Sequence, residues 1–262
     1  MIIPAFGRED LTTALLEDVN QEPEIVRVFV VDNGGAHVAV HNENVLRPGE
    51  NLGWLRGCNL GLAAARSHGG HTGYVLLNND TRLSRNFFAG LQEALHRSRS
   101  DLISPVYDDW WWHLQAPVGA KAEEYAATPR DRRVPFVDGT CMLISASAYE
   151  RLGGLDERFA TYGWGGEIDY SLRVRRAGGR VVVTERSFLE HRGGATAQDV
   201  YGSAYGSAAD AAMSTALAEK WGTRWRAAAG LHPTHNQSAP RWRAHQRLRQ
   251  ELALRSLHDP PR

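Results

Sequence analysis

Short apolar runs alternate with amphipathic stretches along the first two-thirds of the chain, which is typical of a mostly parallel α/β sheet flanked by helices. Residues 25–31 and 74–77 form nearly continuous apolar runs, as expected of strands that are buried on both faces. In residues 9–20 the apolar positions recur at helical spacing instead. The pattern predicts strands at residues 2–3, 25–31, 74–77, 102–105, 134–137, 142–144 and 180–183, and helices at residues 9–20, 55–66, 83–96, 166–177 and 207–221.

The periodicity fails between residues 106 and 133, which we interpret as a long loop or lid. We expect Pro105 to end the strand before it, because proline cannot donate a backbone hydrogen bond. Three consecutive tryptophans, Trp110, Trp111 and Trp112, lie within this stretch. A sugar or another ligand could stack on their indole rings. Alternatively, they form an apolar patch that covers the domain or joins two copies of the chain in a homodimer.

Composition narrows the class of protein. Of the 262 residues, 30 are basic and 30 acidic, so the formal net charge is zero and we expect no nucleic-acid partner. Two cysteines are too few for a disulfide framework or a four-cysteine zinc site. No apolar run approaches the ~20 residues that a membrane span needs, and the charged start differs from a signal peptide. We therefore expect no transmembrane segment and a cytoplasmic location.

The zero net charge conceals an uneven distribution. From Arg224 to the end, the chain carries eight arginines and two acidic residues, a net charge of +6, so the preceding part carries −6. We therefore divide the chain into a main domain, residues 1–223, and a basic, partly helical C-terminal extension, residues 224–262. The extension could contact an anionic surface or the acidic body of the protein itself.

Polar clusters follow the predicted strands, and strand ends are where open α/β sheets bind ligands. Asp32 comes directly after the second strand, where its carboxylate could accept hydrogen bonds from a nucleobase or a ribose, or close a simple turn. Residues 51–61 could present a helix N-terminus, capped by Asn51, to a phosphate or a sugar. A capped helix without a ligand is the alternative, because the glycine spacing fits neither a dinucleotide fingerprint nor a P-loop.

Two further clusters contain the acidic candidates. Residues 78–80 end a strand with Asn-Asn-Asp, and the hard carboxylate of Asp80 suits Mg²⁺ or Mn²⁺ bridging a diphosphate, with helix capping as the alternative. Glu167 and Asp169 lie in the first turn of a predicted helix, where the helix dipole favours ionised carboxylates. Acidic residues are common in that position without any ligand.

Taken in order and spacing, these clusters resemble glycosyltransferase family 2, whose members have the GT-A fold and use nucleotide-diphosphate sugars. The resemblance runs from residue 2 to His191 and is closest to the rhamnosyltransferase-like branch. The run from Trp164 to Glu167, WGGE, also resembles a motif of galactosyl- and N-acetylgalactosaminyltransferases. The matched motifs are VVDNGG at residues 30–35, NLGWLRGCNLG at 51–61, LLNND at 76–80, GTCMLI at 139–144, EIDYSLR at 167–173, and His191.

The resemblance implies a GT-A domain with a Rossmann-like sheet, and an inverting transfer of a sugar from a nucleotide-diphosphate sugar, such as a UDP- or dTDP-sugar, to a hydroxyl or amine. It implies Glu167 as the catalytic base, and Asp80 and His191 as ligands of a divalent Mg²⁺ or Mn²⁺. The acceptor would be a small natural-product aglycone or a glycan. Implied nucleotide- or donor-binding residues are Pro4, Ala5, Phe6, Arg8, Asp32, Asn51, Gly53, Arg56, Asn59, Asn78, Asn79 and Asp80. Implied acceptor- or sugar-binding residues are Gly139, Trp164, Gly165, Gly166 and Asp169. The tryptophan run outside the motifs adds Trp110, Trp111 and Trp112 as candidates.

The sequence departs from the family pattern in two places. The family's D-x-D metal motif is reduced to Asn78, Asn79 and Asp80, and Gly166 stands where many relatives carry an acid. Two alternatives therefore stay open: a nucleotide-sugar-binding protein without transferase activity, and a nucleotidyltransferase-like enzyme. The second should show a glycine-rich basic loop after the first strand, where residues 4–8 offer one glycine and one arginine.

Overall fold

A nine-stranded mixed sheet forms the centre of the computed structural model, which describes residues 1–24, 26–108, 120–192, 202 and 204–231. The strand order is β3-β2-β1-β4-β8-β6-β9-β5, with β7 paired to β9. The strands are β1 (Ile2–Ala5), β2 (Phe29–Asp32), β3 (Asn44–Leu46), β4 (Gly73–Leu77), β5 (Thr81–Leu83), β6 (Leu102–Tyr107), β7 (Asp131–Arg133), β8 (Cys141–Ser145) and β9 (Val181–His191).

Helices cover both faces of this sheet. They are α1 (Glu9–Asn20), α2 (Gly53–His68), α3 (Phe87–Ser98), α4 (Ala146–Leu152), α5 (Gly166–Arg176), α6 (Tyr205–Trp221) and α7 (Trp225–Ala228), with single 3₁₀ turns at Ala122–Glu124 and Glu157–Phe159. Because successive strand residues point to opposite faces, Ile2 of β1 packs in the core with α2, α5 and α6, whereas Ile3 packs with α1 and α3. The predicted α/β class is confirmed.

The sheet is less parallel than its sequence pattern suggested. Strands β3, β2, β1 and β4 are parallel to one another, whereas β8 runs antiparallel to both of its neighbours, β4 and β6. The predicted helix at 83–96 begins only at Phe87, because residues 81–83 form β5 and pair with β9. Residues 134–137 form no strand, and the short strand nearby is β7.

Strands β6 and β9 continue past their predicted ends. Pro105 lies inside β6 instead of ending it, and the register against β9 shifts between Pro105 and Val106, so a bulge accommodates the missing donor. Strand β9 continues to His191, well beyond residue 183. The predicted loop at 106–133 therefore contains the end of β6, a 3₁₀ turn and β7, while Trp110, Trp111 and Trp112 lie outside the described residues.

The topology gathers the candidate residues at one edge of the sheet. Parallel strands β1, β2 and β4 end there, so Asp32 and residues 78–80 lie at the same edge. Antiparallel β8 begins there, with Cys141 opposite Leu77, and β9 ends there, with His191 opposite Thr81. The edge therefore collects residues that are far apart along the chain.

The C-terminal part of the described chain packs onto this domain. Trp225 and Ala228 of α7 are buried in the same core as α5, and the Arg175 guanidinium donates to the Ala228 carbonyl at 2.6 Å. Residues 232–262 lie outside the described residues, so the division at residue 223 and the basic extension stay predictions. None of the helices in the described ranges has the length and apolar character needed to cross a membrane.

Candidate active site

Glu167 is a buried carboxyl at the start of α5. Its residue is 6% exposed, and its Oε2 accepts a hydrogen bond from the Gly165 N–H at 3.0 Å. The turn before the helix requires glycine, since Gly163 and Gly165 have φ values of 79° and 93°. A Cβ on Gly165 would also lie 2.7 Å from Cγ of Met213 in α6. The glycines thus let the chain turn tightly and hold the carboxyl at the helix N-terminus.

The surroundings of Glu167 favour its protonated form. Burial, with a contribution from the nearby charge of Asp138, raises the pKa of Glu167 from 4.5 to about 8. A carboxyl whose pKa lies close to neutrality can exchange a proton with a reacting group, as a general base must. The sequence motifs did not identify Asp138 as a site residue. Its position directly before the Gly139 motif could have indicated that it lies near the site.

Gly139 leaves a gap between Glu167 and Trp54. A Cβ on Gly139 would lie 3.6 Å from Cη2 of Trp54 and 3.8 Å from Oε2 of Glu167. These are ordinary contact distances, so the space over Gly139 has about the width of a methyl group and is bordered by an indole and a carboxyl. Trp54, which belongs to the matched 51–61 motif, was given no role from the sequence. The structure therefore brings the 51–61, 139–144 and 167–173 motifs together.

Asp80 and His191 form the candidate metal centre. Oδ1 of Asp80 lies 3.4 Å from Nε2 of His191, and the amide nitrogen of Asn78 lies 3.5 Å from the same imidazole nitrogen. Oδ1 of Asn78 is buried and has no hydrogen-bond partner. Among the described residues no group of three or more His, Cys, Asp or Glu side chains could hold a metal. The carboxylate of Asp80 and the imidazole of His191 fit Mg²⁺ or Mn²⁺ if diphosphate oxygens complete the shell.

Asp32 closes the turn that follows β2. It is 2% exposed, and its two carboxylate oxygens accept the N–H groups of Gly35 at 2.7 Å and His37 at 3.0 Å. The His37 ring lies between two carboxylates, 3.0 Å from Glu9 and 3.1 Å from Glu43. These contacts agree with the turn interpretation of Asp32. Nε of the exposed Arg47 side chain lies 3.6 Å from Oδ2 of Asp32, and the contact with a nucleobase stays a prediction.

The other predicted donor residues lie in or next to β1 and α2. Pro4 and Ala5 are buried in β1, and a Cβ on Gly57 would lie 3.1 Å from Cβ of Pro4. Asn51 accepts from the N–H of Gly53 at 2.8 Å, although Leu52 and not Asn51 occupies the N-cap position. Phe6 is partly buried, whereas Arg8, bonded to Asp10, and Arg56, near Glu157, are exposed.

Three predicted contact residues are already bonded within the protein. Both ends of the Asn59 amide bond the backbone of Leu155, each at 2.9 Å. The Asn79 amide donates to the Thr12 hydroxyl at 3.0 Å. Asp169 is fully buried and faces α6. These bonds help to hold the fold together, and the ligand contacts predicted for Asn59, Asn79 and Asp169 stay predictions.

The network around Asp169 is a feature that the sequence did not reveal. Its Oδ1 accepts from the indole N–H of Trp221 at 2.8 Å and from Nζ of Lys220 at 2.7 Å, while its Oδ2 accepts from Arg173 at 2.9 Å. Lys220 also contacts Asp156 at 2.6 Å. This network joins α6 to α5, the helix that carries the candidate base.

The remaining two predicted residues of the WGGE run lie beside the base. The Trp164 ring meets the Tyr205 ring edge to face at 5.8 Å. A Cβ on Gly166 would lie 2.8 Å from Cδ1 of Leu55, so the absence of a side chain lets α5 approach α2. Any side chain at Gly166, where many members of the resembled family carry an acid, would force Leu55 to shift.

Comparison with solved structures assigns the fold. The chain superposes on GalNAc-T7, solved with UDP, GalNAc and Mn²⁺, with a TM-score of 0.61 and 14% identity over 95% of this chain, but it spans only about half (54%) of that chain. It superposes on Staphylococcus aureus TarS 1–349, solved with UDP-GlcNAc, with a TM-score of 0.59 and 13% identity, covering 97% of this chain and 70% of that one. Both are GT-A glycosyltransferases, and the present chain has their fold.

Sequence comparison identifies relatives in mycobacteria. No family model matches the chain. A stretch of 72 residues, 27% of this chain and 23% of the enzyme, is 33% identical to N-acetylglucosaminyl-diphospho-decaprenol L-rhamnosyltransferase of Mycobacterium tuberculosis. Uncharacterized proteins of Mycobacterium tuberculosis (Rv1525) and Mycobacterium bovis (Mb1552) are 35% identical to it over 201 residues, which is 76% of this chain and 76% of each relative. This chain, with its GT-A fold, therefore belongs to the same family as these two mycobacterial proteins.

Proposed function

We propose that the protein is an inverting glycosyltransferase of family 2 that moves a sugar from a UDP- or dTDP-sugar to a hydroxyl or amine. One observation carries this proposal: adjacent residues connect the candidate base to the candidate metal centre. Gly139 borders Glu167, and the hydroxyl of Thr140 lies 3.4 Å from Nδ1 of His191. A transferase needs this proximity, because the nucleophile is activated within bonding distance of the carbon that loses the diphosphate.

The residues of the chain suggest how the transfer would proceed. Glu167, held by the Gly165 N–H, accepts the proton of the acceptor as the acceptor oxygen or nitrogen attacks the anomeric carbon. The bond from that carbon to the diphosphate oxygen breaks on the opposite side, which inverts the configuration. A divalent cation held by Asp80 and His191 would supply positive charge to the departing diphosphate. Burial of Glu167 keeps water away from the base until the acceptor arrives.

The comparisons support the donor class. TarS was solved with UDP-GlcNAc and GalNAc-T7 with UDP, GalNAc and Mn²⁺, and a short stretch resembles a rhamnosyltransferase. By analogy with these proteins, we propose that this chain also uses a nucleotide-sugar donor and a divalent metal. The acceptor, either a natural-product aglycone or a glycan, the cytoplasmic location and the homodimer stay predictions.

The test combines binding with turnover. Melting temperatures are measured with UDP, dTDP and GDP, each with and without Mn²⁺, because a ligand at 100 times its Kd stabilises the folded state by about 2.7 kcal/mol. Release of UDP from UDP-GlcNAc is then compared between the wild type and Glu167→Gln. We expect the variant to keep its stabilisation by the diphosphate and to lose about 100-fold or more in turnover.

The outcomes separate the alternatives. No stabilisation by any nucleoside diphosphate would remove the donor assignment. Stabilisation without turnover in either protein, across UDP-, dTDP- and GDP-sugars, would identify a nucleotide-sugar-binding protein without transferase activity. Normal turnover by folded Glu167→Gln would show that another group acts as the base.

A further inference from the structure

Trp54 carries a buried hydrogen-bond donor that nothing in the described part of the chain satisfies. Its side chain is half-buried in the first turn of α2, and its Nε1 is shielded from solvent without a hydrogen-bond partner. Leaving such a donor unpaired costs about 1–3 kcal/mol, so an unpaired one in a folded protein calls for an explanation. By contrast, the indole N–H of Trp221, which is also buried, bonds Asp169.

The position of Trp54 is fixed by its neighbours. Asn33 accepts from the N–H of Leu52 at 3.2 Å and donates to the carbonyl of Gly53 at 3.3 Å, which ties the start of α2 to the end of β2. On its other side, a Cβ on Gly163 would lie 3.7 Å from Cβ of Trp54. The indole is therefore held between the α2 start and the glycine turn that precedes Glu167.

The indole also borders the gap over Gly139. Its Cη2 faces that glycine across a space of methyl width, and Glu167 lines the same space from the opposite side. An indole combines an apolar ring, suited to the C–H face of a sugar, with one N–H donor for a hydroxyl oxygen. A hydroxyl group that enters this gap thus lies between the Cη2 edge of the indole and the candidate base, and the unpaired N–H belongs to the same indole.

We propose that Trp54 is a sugar-binding, specificity-determining residue whose indole N–H donates a hydrogen bond to a hydroxyl oxygen of a pyranose bound next to Glu167. This rests on the proposed transferase function. The pyranose is either the sugar of the donor or a sugar of the acceptor, since both present hydroxyl oxygens to the base. The bond supplies the partner that the buried N–H lacks.

The test replaces Trp54 by phenylalanine, which keeps an aromatic ring and removes the donor. Dissociation constants for UDP and UDP-GlcNAc are measured, together with the KM of p-nitrophenyl glucoside as a probe acceptor. If the bond goes to the donor sugar, Trp54→Phe binds UDP normally and UDP-GlcNAc about 5–10-fold more weakly. If the hydrogen bond goes to the acceptor, the dissociation constants for UDP and UDP-GlcNAc stay unchanged and the KM of the probe acceptor rises by a similar factor. Trp225→Phe, which alters a buried indole in α7, is the matched control and should leave all three values unchanged.

A second measurement protects the test from a folding defect. The indole N–H signal of Trp54 in a ¹⁵N NMR spectrum is assigned as the one that is missing from Trp54→Phe or Trp54→Tyr. In the wild type this signal should shift when UDP-GlcNAc or the probe acceptor is bound, compared with the spectrum in UDP alone. Unchanged constants in folded Trp54→Phe, with a signal that moves with neither sugar, would overturn the role of Trp54 while leaving the transferase intact. A wild type that binds no UDP-, dTDP- or GDP-sugar would instead remove the proposed function, and the role of Trp54 with it.

Discussion

The indole N–H of Trp221 donates to Oδ1 of Asp169 at 2.8 Å, and this bond fastens α6 to the helix that carries Glu167. Lys220 reaches the same carboxylate oxygen at 2.7 Å, and Arg173 reaches the other at 2.9 Å. Asp169 is fully buried, so two cations and an indole share one carboxylate that water does not reach. The helix of the candidate base is thus positioned by residues about fifty positions further along the chain.

Asp169→Ala should strongly destabilise the protein. Lys220 keeps its contact with Asp156, but Arg173 loses its carboxylate partner and the indole N–H of Trp221 loses its acceptor. Removal of one partner of a buried ion pair costs about 3–5 kcal/mol. The free energy of unfolding in urea measures this loss. Glu150→Ala provides the control, because Glu150 pairs with Arg66 at 2.9 Å with both side chains more than half exposed, and such a pair contributes at most about 1 kcal/mol. Equal losses in the two variants would contradict the assigned role of Asp169.

The two acidic residues of α5 show what the sequence can and cannot predict. Both lie in the first turn, and the resemblance gave both a part in substrate handling. Glu167 borders the gap over Gly139, whereas Asp169 faces Lys220 and Trp221. This difference depends on how α6 packs against α5, so the local sequence of residues 166–177 cannot predict it.

The same limit applies to the strands. Helix α1 was predicted with its observed bounds, because its amphipathic pattern is local. A helix was predicted to begin at residue 83, yet residues 81–83 form β5. Pairing with β9, more than a hundred residues away, decides their conformation. The edge of the sheet was predictable for a different reason: the ends of parallel strands always meet.

Gly139→Ala should separate activity from stability. A methyl group at this position would lie at ordinary contact distance from Trp54 and Glu167, so the unfolding free energy should change by less than about 1 kcal/mol. The methyl would nevertheless fill the gap, and displacement of a substrate by about 1 Å can cost up to 100-fold in rate. We therefore expect at least a tenfold loss of UDP release from UDP-GlcNAc, by that same estimate.

Gly61→Ala gives the opposite result. A Cβ on Gly61 would lie 2.3 Å from Cγ2 of Ile2, so the substitution overpacks the interface of α2 and β1 and should cost about 1–3 kcal/mol. The folded fraction should retain its activity. Normal turnover in Gly139→Ala, measured beside this variant, would show that no substrate occupies the gap.

The activity should rise with pH. Burial and Asp138 hold the pKa of Glu167 at about 8, and only the ionised carboxylate accepts a proton. A profile of kcat/KM against pH should therefore climb through a midpoint near pH 8. Asp138→Asn removes the nearby negative charge and should move this midpoint to lower pH. An unchanged midpoint would mean that Glu167 does not determine the profile.

The stability should respond to pH in the opposite direction. Because the folded pKa of Glu167 is raised from 4.5 to about 8, the folded protein holds this proton over that range while the unfolded chain releases it. The contribution of Glu167 to stability is therefore complete below pH 4.5 and is lost as the pH rises through 8. Glu167→Gln cannot ionise, so its urea midpoint relative to the wild type should increase between pH 5 and pH 9. A constant difference would place the carboxyl in contact with water.

Metal binding should depend on the diphosphate. The D-x-D pattern is reduced to Asn78, Asn79 and Asp80, and Asn79 is bonded to Thr12. One carboxylate, Asp80, and one imidazole, His191, therefore form the site. Such a set holds Mn²⁺ weakly until phosphate oxygens join it. Calorimetry should therefore detect little binding of Mn²⁺ alone and tighter binding of UDP when Mn²⁺ is present, with EDTA reversing the gain.

Asp80→Asn and His191→Gln should each lower the affinity for UDP in the presence of Mn²⁺ by about tenfold or more. The affinity for UDP without metal should stay unchanged. Glu150→Gln is the control, because Glu150 contacts Arg66 and is not a candidate metal ligand. This variant should keep the full increase in UDP affinity that Mn²⁺ gives the wild type. If both ligand variants keep it, the metal is held elsewhere. If the wild type gains nothing from Mn²⁺, the departing diphosphate must be stabilised by donors of the chain instead. The helix α2 N-terminus, whose first N–H is bonded by Asn51, would then be the group to examine, with Asn51→Ala as the next variant.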